Sequence, residues 1–343
     1  MKGVLGWDIG GANTKVARAT GTRVAATRVV PYEIQRDPAA LPPLLDRLAR
    51  ELGAQPGDAH AVTMTAELSQ LFRTKREGVA FVLEAVTQAF PDGLVRVYAV
   101  DGRWRTPDEA RRDPLAVAAA NWAATARLVA RSFPDCILID VGSTTTDIIP
   151  VVQGAPAAIG RTDPERLCEG ELIYTGALRT PAEAIASSVP FRGRPSGVSA
   201  EAFALAGDVH LWRGQLTPAE YSVPTPDGRP ATRALAGERL ARVVCADREM
   251  LDDAAIGAIA DALCDAQVTR IAEAVTRVCR RHAALALAVV TGLGDFLARE
   301  AARRATLTVT HLSASLGPAA RQAPAAAVAL LLAAELAREM VPS

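Results

Sequence analysis

Aromatic residues make up only 4% of the 343-residue chain, and arginine far outnumbers lysine. With alanine abundant, this reads as GC-rich coding bias, so bulk composition says little about function. Net charge is missing too: 38 Lys and Arg stand against 38 Asp and Glu. Neither nucleic acid nor an anionic membrane is therefore expected as a partner. The five cysteines, Cys136, Cys168, Cys245, Cys264 and Cys279, are odd in number and widely spaced, with no C-x-x-C pair. That argues against a disulfide framework and a zinc site. The four histidines, His60, His210, His282 and His311, form no i,i+4 pair, which argues for structural roles. There is no P-loop and no G-x-S-x-G elbow. The N-terminus lacks a basic stretch followed by an apolar one. The most apolar segment, Ala323 to Leu336, falls short of the ~20 residues a membrane span needs. A soluble, cytoplasmic protein is expected.

Half of the residues are hydrophobic, enough for two cores, and the length suits two domains of ~100–200 residues each. Residues 3–9, 14–20 and 23–33 read as consecutive strands. Leu41, Leu44, Leu45, Leu48 and Leu52 recur at helical spacing, and Gly53 stops that helix. His60 to Thr65 and Val95 to Val100 read as strands around a helix from Lys75 to Phe90. The order βββαβαβ predicts a mixed sheet with helices on its faces. A helical stretch from Pro107, restarted at Pro114, runs over Leu115 to Phe133. Further helices are predicted at Asp163 to Glu169, Ala200 to Trp212, Thr232 to Cys245, Asp253 to His282 and Pro324 to Met340. Strands are predicted at Leu285 to Val290 and Thr306 to His311. The division is 1–131 plus 323–343 for the first domain and 132–322 for the second.

The chain is organised around Leu138 to Pro150: an apolar strand, Asp140, Gly142, the hydroxyl run Ser143-Thr144-Thr145-Thr146, then a second apolar strand. This is a buried hairpin with a small-residue turn, able to set backbone N–H groups and hydroxyls against an anion. Asp140, at the strand end, can hold the cation such an anion needs. Val4 to Val16 repeats the plan with Asp8, Gly10, Gly11, Asn13, Thr14 and Lys15. Two such turns about 130 residues apart suggest duplicated half-domains closing on one phosphate chain. Asp8 is either a magnesium-holding acid or a solvated turn residue; Lys15 either neutralises phosphate or faces solvent. Asp147, on a strand beyond the turn, either faces solvent or serves as a base. Thr291 to Asp295 is a third strand-end site, where Gly292 and Gly294 open a helix whose N-terminus suits an anion or nucleotide.

Together these motifs resemble the actin/sugar-kinase/heat-shock ATPase (ASKHA) superfamily, built from two ribonuclease-H-like domains around a cleft. Asp8 to Lys15 matches its first phosphate motif, Leu138 to Asp147 its second, and Val289 to Asp295 its adenosine motif. Within it, Met64 to Leu68, Ala119 to Trp122, Glu171 to Ala177 and Cys245 to Glu249 are similar to the hydantoinase/oxoprolinase-like branch. That branch is found with tetrahydromethanopterin-linked one-carbon genes and is similar to the condensing enzymes of methanofuran biosynthesis. The resemblance implies a transferase that joins an aminomethyl-furan-methyl diphosphate to the phenol of a tyramine or tyrosine derivative and releases pyrophosphate. It implies Mg2+ at Asp8 and Asp140, with Asp147 or Glu67 as base and Lys15 in the catalytic set. The phosphate turns (Gly10, Gly11, Asn13, Thr14, Gly142, Ser143, Thr144, Thr145) would then bind the substrate's diphosphate. ATP is not required, but Gly292 and Gly294 leave a nucleotide open. The alternatives are an ATP-dependent small-molecule kinase, an amidohydrolase of the same fold, or a non-enzymatic nucleotide-dependent activator. The oligomeric state, a homodimer included, is not fixed.

Overall fold

The computed structural model describes residues 3–339, which fall into two compact units. One comprises residues up to Cys136, Ile149–Arg166 and the stretch from Leu312; the other comprises Ile137–Ile148 and Leu167–His311. The sequence sets the domain change at 131/132 and 322/323; residues 149–166 and 312–322 group with the first unit.

The first unit opens with β1 (Val4–Ile9), β2 (Asn13–Thr20) and β3 (Arg23–Pro31), followed by α1 (Leu41–Glu51), β4 (Ala59–Met64), α2 (Lys75–Ala89), β5 (Leu94–Tyr98) and β6 (Trp104–Arg105). Their order in the sheet is β3-β2-β1-β4-β5-β6, so β1 is central, antiparallel to β2 and parallel to β4. All six residues of β1 are buried, as a strand covered on both faces requires. The leucines of α1 line one core with Trp7, Ile9, Val62 and Met64. Gly53, at φ +72°, ends that helix. Thr74 caps α2 by accepting from the Glu77 amide.

The chain continues through α3 (Pro107–Arg112), α4 (Pro114–Val117) and α5 (Asn121–Val129). The single helix expected over Leu115 to Phe133 is broken. Ala118 bridges to Met64 at the end of β4, and Ala119 takes φ +50°. Pairing with the sheet has overridden local helix propensity.

Next come β7 (Cys136–Val141), β8 (Thr146–Val152), β9 (Ala155–Pro156), α6 (Asp163–Glu169), β10 (Leu172–Ile173), α7 (Ala182–Ile185) and the hairpin β11 (Ser188–Phe191) with β12 (Arg194–Gly197). They are followed by α8 (Ala206–Trp212), α9 (Arg233–Arg242), α10 (Asp253–Arg281), β13 (Leu287–Thr291), α11 (Asp295–Arg304) and β14 (Thr308–His311). The second sheet runs β10-β8-β7-β13-β14, with β13 parallel to β7. α8 starts six residues later than expected because the Leu205 amide bonds to Asp208, fixing the start there. Asp252 caps α10 through the Ala255 amide at 2.8 Å.

Two last helices, α12 (Ser313–Leu316) and α13 (Ala323–Glu339), are joined by a 3-10 segment. Met340, assigned to the closing helix by sequence, lies outside the described residues. The helical run Ser313–Glu339 is long and apolar enough to cross a membrane, but 67% of its apolar window is buried within the protein. Its seat is β1. A Cβ on Gly6 would stand 2.1 Å from the Ala325 carbonyl oxygen and 2.6 Å from the Ala329 nitrogen, so helix and strand touch backbone to backbone.

Candidate functional site

The two phosphate turns have the same construction. The Gly10 amide bonds to the Asn13 carbonyl at 3.0 Å, and the Gly142 amide to the Thr145 carbonyl at 2.9 Å, each closing a two-residue turn. In both, the turn carbonyls are held by the chain of the same unit. Gly11 O accepts from Ile34 N and Ala12 O from Tyr32 N; Gly142 O accepts from Ala177 N, and Ser143 O from Leu178 N and Arg179 N. Across a trans peptide the N–H points opposite to the carbonyl. The amides of Ala12, Ser143 and Thr144 therefore point away from those contacts and meet no acceptor among the described residues. Successive unpaired amides, as at Ser143 and Thr144, suit an anion. In the first turn, a Cβ on Gly11 would find nothing closer than Ser69 Cβ at 3.9 Å, so an anion can approach the backbone. In the second, Gly176 lies under the turn. A Cβ there would stand 2.5 Å from the Thr144 nitrogen.

Each turn follows a strand with an antiparallel partner on one side and a parallel partner on the other. Asp8 is in register with Lys15 on β2 and with Thr63 on β4. Asp140 is in register with Thr291 on β13. Counting inward from the Gly142–Thr145 closure sets Asp147 on β8 across from Asp140. The paired threonines, both buried, belong to neither motif. Thr291 opens the third motif of the sequence; Thr63 was missed there, although a hydroxyl near the end of a parallel strand was there to be found.

Lys15 does not simply face solvent. Its Nζ donates to Asp8 Oδ2 at 2.9 Å. Asp8 Oδ1, Asn13 Oδ1 and Thr63 Oγ1 are buried with no hydrogen-bond partner among the described residues. By strand alternation they share a face with Lys15. An all-oxygen set of this kind suits Mg2+. No group of three or more His, Cys, Asp or Glu that could hold a metal ion is found among the described residues, so a cation at Asp8 would need water or substrate oxygens to complete its shell. Thr14 stands apart: in register with Ile9, it lies on the opposite sheet face, also buried. Asp147 is buried, which removes the solvent-facing alternative.

The glycines of the third motif have a packing role. Gly292 takes φ +95°, and a Cβ there would stand 2.4 Å from Asp140 Oδ1 and 2.3 Å from the Val141 carbonyl oxygen. A Cβ on Gly294 would meet Val141 Cγ1 at 2.5 Å. Both let the loop after β13 close against the end of β7, whatever ligand binds, so neither argues for adenine.

Glu67 emerges from the structure as a further residue of the first turn. The chain leaves β4 into a single 3-10 turn, Ala66–Leu68. Thr65 and Ser69, on either side, flank Gly10 and Gly11: a Cβ on Gly10 would lie 3.3 Å from Thr65 Oγ1. Glu67 is 1% exposed, and neither carboxylate oxygen has a partner in hydrogen-bonding geometry among the described residues. Burial pushes its carboxyl up to about 7, against the smaller opposing pull of the Glu67 and Ala119 amides and of Lys75.

Residues 58–335 match the Hydantoinase/oxoprolinase family. The chain belongs to that family. Two curated relatives are similar to this hydantoinase/oxoprolinase-family chain, and both are named (4-{4-[2-(gamma-L-glutamylamino)ethyl]phenoxymethyl}furan-2-yl)methanamine synthase. The protein from Methanocaldococcus jannaschii is 38% identical over 87% of this chain and 88% of its own length. That from Methanococcus vannielii is 40% identical over 49% of this chain and 74% of its own. Among solved structures, nucleotide-free acetone carboxylase shares the fold at a TM-score of 0.55, covering 95% of this chain and 70% of that one, with 10% identity. The mixed α/β architecture expected from the motifs is present.

Proposed function

We propose that the chain is a transferase of methanofuran-type cofactor synthesis, joining an aminomethyl-furan-methyl diphosphate to the phenol of a γ-glutamyltyramine-type acceptor. The observation that carries this reading is the 38% identity to the Methanocaldococcus synthase over 87% of the chain. The duplicated turns supply the matching chemistry. The bond between the furan-methyl carbon and the diphosphate oxygen breaks, and its electron pair leaves with the diphosphate. The phenol oxygen bonds to that carbon and loses its proton. A furan-methyl carbon tolerates developing positive charge, so the protein's main task is to stabilise the departing anion. In the first unit the Ala12 amide, with Lys15 adding charge, is the proposed anion holder; in the second the Ser143 and Thr144 amides are built for the same task. Asp8, with Asn13 and Thr63 beside it, is the proposed holder of Mg2+ in the first unit and Asp140 in the second; such an ion would neutralise the leaving diphosphate. Asp147 is the proposed acceptor of the phenol proton.

The test is direct. Purified protein, given the furan diphosphate and γ-glutamyltyramine with Mg2+, should release pyrophosphate and form the ether without ATP. Release that depends on ATP overturns the reading.

A further inference from the structure

Glu67 presents a physical problem that the proposed reaction leaves unsolved. It is a fully buried carboxylate with no side-chain donor and no partner in good hydrogen-bonding geometry among the described residues, only the weaker pull of the Glu67 and Ala119 amides. Removing such a group from water without pairing it costs several kcal/mol. The nearby cation, Lys75, is engaged elsewhere, with its Nζ 3.0 Å from Asp163. Asp163 in turn lies 3.7 Å from Arg166, whose guanidinium stacks on Trp122. The backbone around Glu67 is arranged to keep the carboxylate in place. Gly78 of α2 lets the helix approach so closely that a Cβ there would stand 2.5 Å from Glu67 Cα. Ala119, whose amide favours the charged form of Glu67, is held at φ +50°, a conformation that costs a non-glycine residue about 1 kcal/mol or more. An isosteric glutamine would avoid the unpaired charge at no cost in volume. The fold keeps the acid, and keeps it beside the first anion-binding turn, where Thr65 and Ser69 bracket Gly10 and Gly11.

The missing partner is a cation carried by a ligand. On the reaction proposed above, the furan donor has a diphosphate at one end and a primary amine at the other, and that amine persists as the methanamine of the product name. An alkylamine of the lysine kind ionises near ~10 and is an ammonium at neutral pH. From the placement of a buried, unpaired acid next to the turn that takes the diphosphate, we infer that Glu67 holds the ammonium of the furan donor. Turn and acid then read the two ends of one small molecule, anion and cation, across the ring. The phenol proton has alternative acceptors, Asp147 and the departing diphosphate; Asp8, the other buried acid at this turn, already faces the Lys15 ammonium at 2.9 Å. The inference rests on the proposed reaction.

The experiment compares two donors, aminomethyl-furan-methyl diphosphate and furan-methyl diphosphate, with wild type and Glu67→Gln, following pyrophosphate release with γ-glutamyltyramine as acceptor. Calorimetric binding of inorganic pyrophosphate, which has no ammonium, reports whether the variant's anion site is intact. Wild type should prefer the aminated donor by roughly 10- to 150-fold in kcat/KM, the range expected of a charge-assisted contact. Glu67→Gln should lose that preference through a raised KM, bind pyrophosphate like wild type, and handle the amine-free donor within about threefold of wild type. An equal drop in kcat on both donors with KM unchanged overturns the inference and makes Glu67 a base. A preference that persists in Glu67→Gln, loss of pyrophosphate binding in that variant, or no preference in wild type overturns it as well. If wild type releases pyrophosphate from neither donor, the proposed reaction itself falls.

Discussion

Gly292 shows how one missing side chain makes room for another, the carboxylate proposed to hold Mg2+. At φ +95° it occupies backbone space that L-residues rarely enter, and its absent Cβ leaves room for Asp140 Oδ1. Gly292→Ala should therefore do two things at once. It should lower stability by about 2–4 kcal/mol, the sum of a strained φ and an overpacked contact. It should also displace Asp140 and weaken Mg2+-dependent pyrophosphate binding. Gly197 is the control, since a Cβ there meets nothing within 4 Å. Thermal unfolding and calorimetry of Gly292→Ala and Gly197→Ala separate the two effects, and equal behaviour of both variants refutes the assignment. The same geometry shows why a G-x-G motif misleads in sequence. The letters match a nucleotide loop, but close packing of two strand ends demands the same glycines.

At the scale of elements, both hairpins were legible. Apolar runs flanking Asp-x-Gly and hydroxyl residues specify strand, turn and strand, and β1, β2, β7 and β8 lie where the pattern sets them. Asp163–Glu169 and the capped α10 were equally readable, because their start signals are local. The break at Ala119 was not, since it is dictated by a bridge to Met64, more than fifty positions earlier. Nor was the role of Glu67, because its lack of partners exists only once β4, α2 and the Ala119 segment assemble around it. Gly176 belongs to the same class. It supports the second turn from a segment about thirty residues on, tied down by Gln267 Nε2, which donates to the Gly176 carbonyl at 2.9 Å and to Thr175 Oγ1 at 2.8 Å. Gly176→Ala should push the Thr144 amide out of place and lower pyrophosphate affinity at least about tenfold, the scale of one lost charge-assisted hydrogen bond. Gln267→Leu should do so more mildly, with the larger penalty in stability, because it leaves the Gly176 carbonyl only the longer contact from Thr180 Oγ1 at 3.3 Å and strips Thr175 and His210 of a partner. Unchanged pyrophosphate binding in Gly176→Ala would show that the second turn does not bind the anion.

At the scale of the whole molecule, buried titratable groups make the two units respond differently to acid. His60, in the first unit, is stacked on Phe90 and accepts from Trp7 Nε1 at 3.2 Å; burial lowers its pKa to about 4. His210, in the second, is buried between Gln215 and Gln267 and is also lowered to about 4, again by burial. For a base whose folded pKa lies below its unfolded value, the unfolded chain binds more protons between the two. Stability is therefore fully present above 6.5 and is lost as pH falls towards 4, by about 3 kcal/mol for each histidine. Glu67, in the first unit, has the opposite sign. Its folded pKa of about 7 exceeds the unfolded value of 4.5, so the folded state binds the extra proton in that window. Stability rises as pH falls from 7 to 4.5, again by about 3 kcal/mol. In the first unit the two terms nearly cancel; in the second His210 is opposed only by the smaller rise that burial gives the Asp208 carboxyl. Acidification from pH 7.5 to 4.5 should therefore loosen the second unit first. Hydrogen exchange should show α8 and α10 losing protection while β1 and β4 hold theirs. Glu67→Gln should remove the offset, so that the first unit becomes acid-sensitive as well, while at pH 7.5 the variant is more stable than wild type. Protection lost together in both units of the wild type would show that other groups govern the acid response.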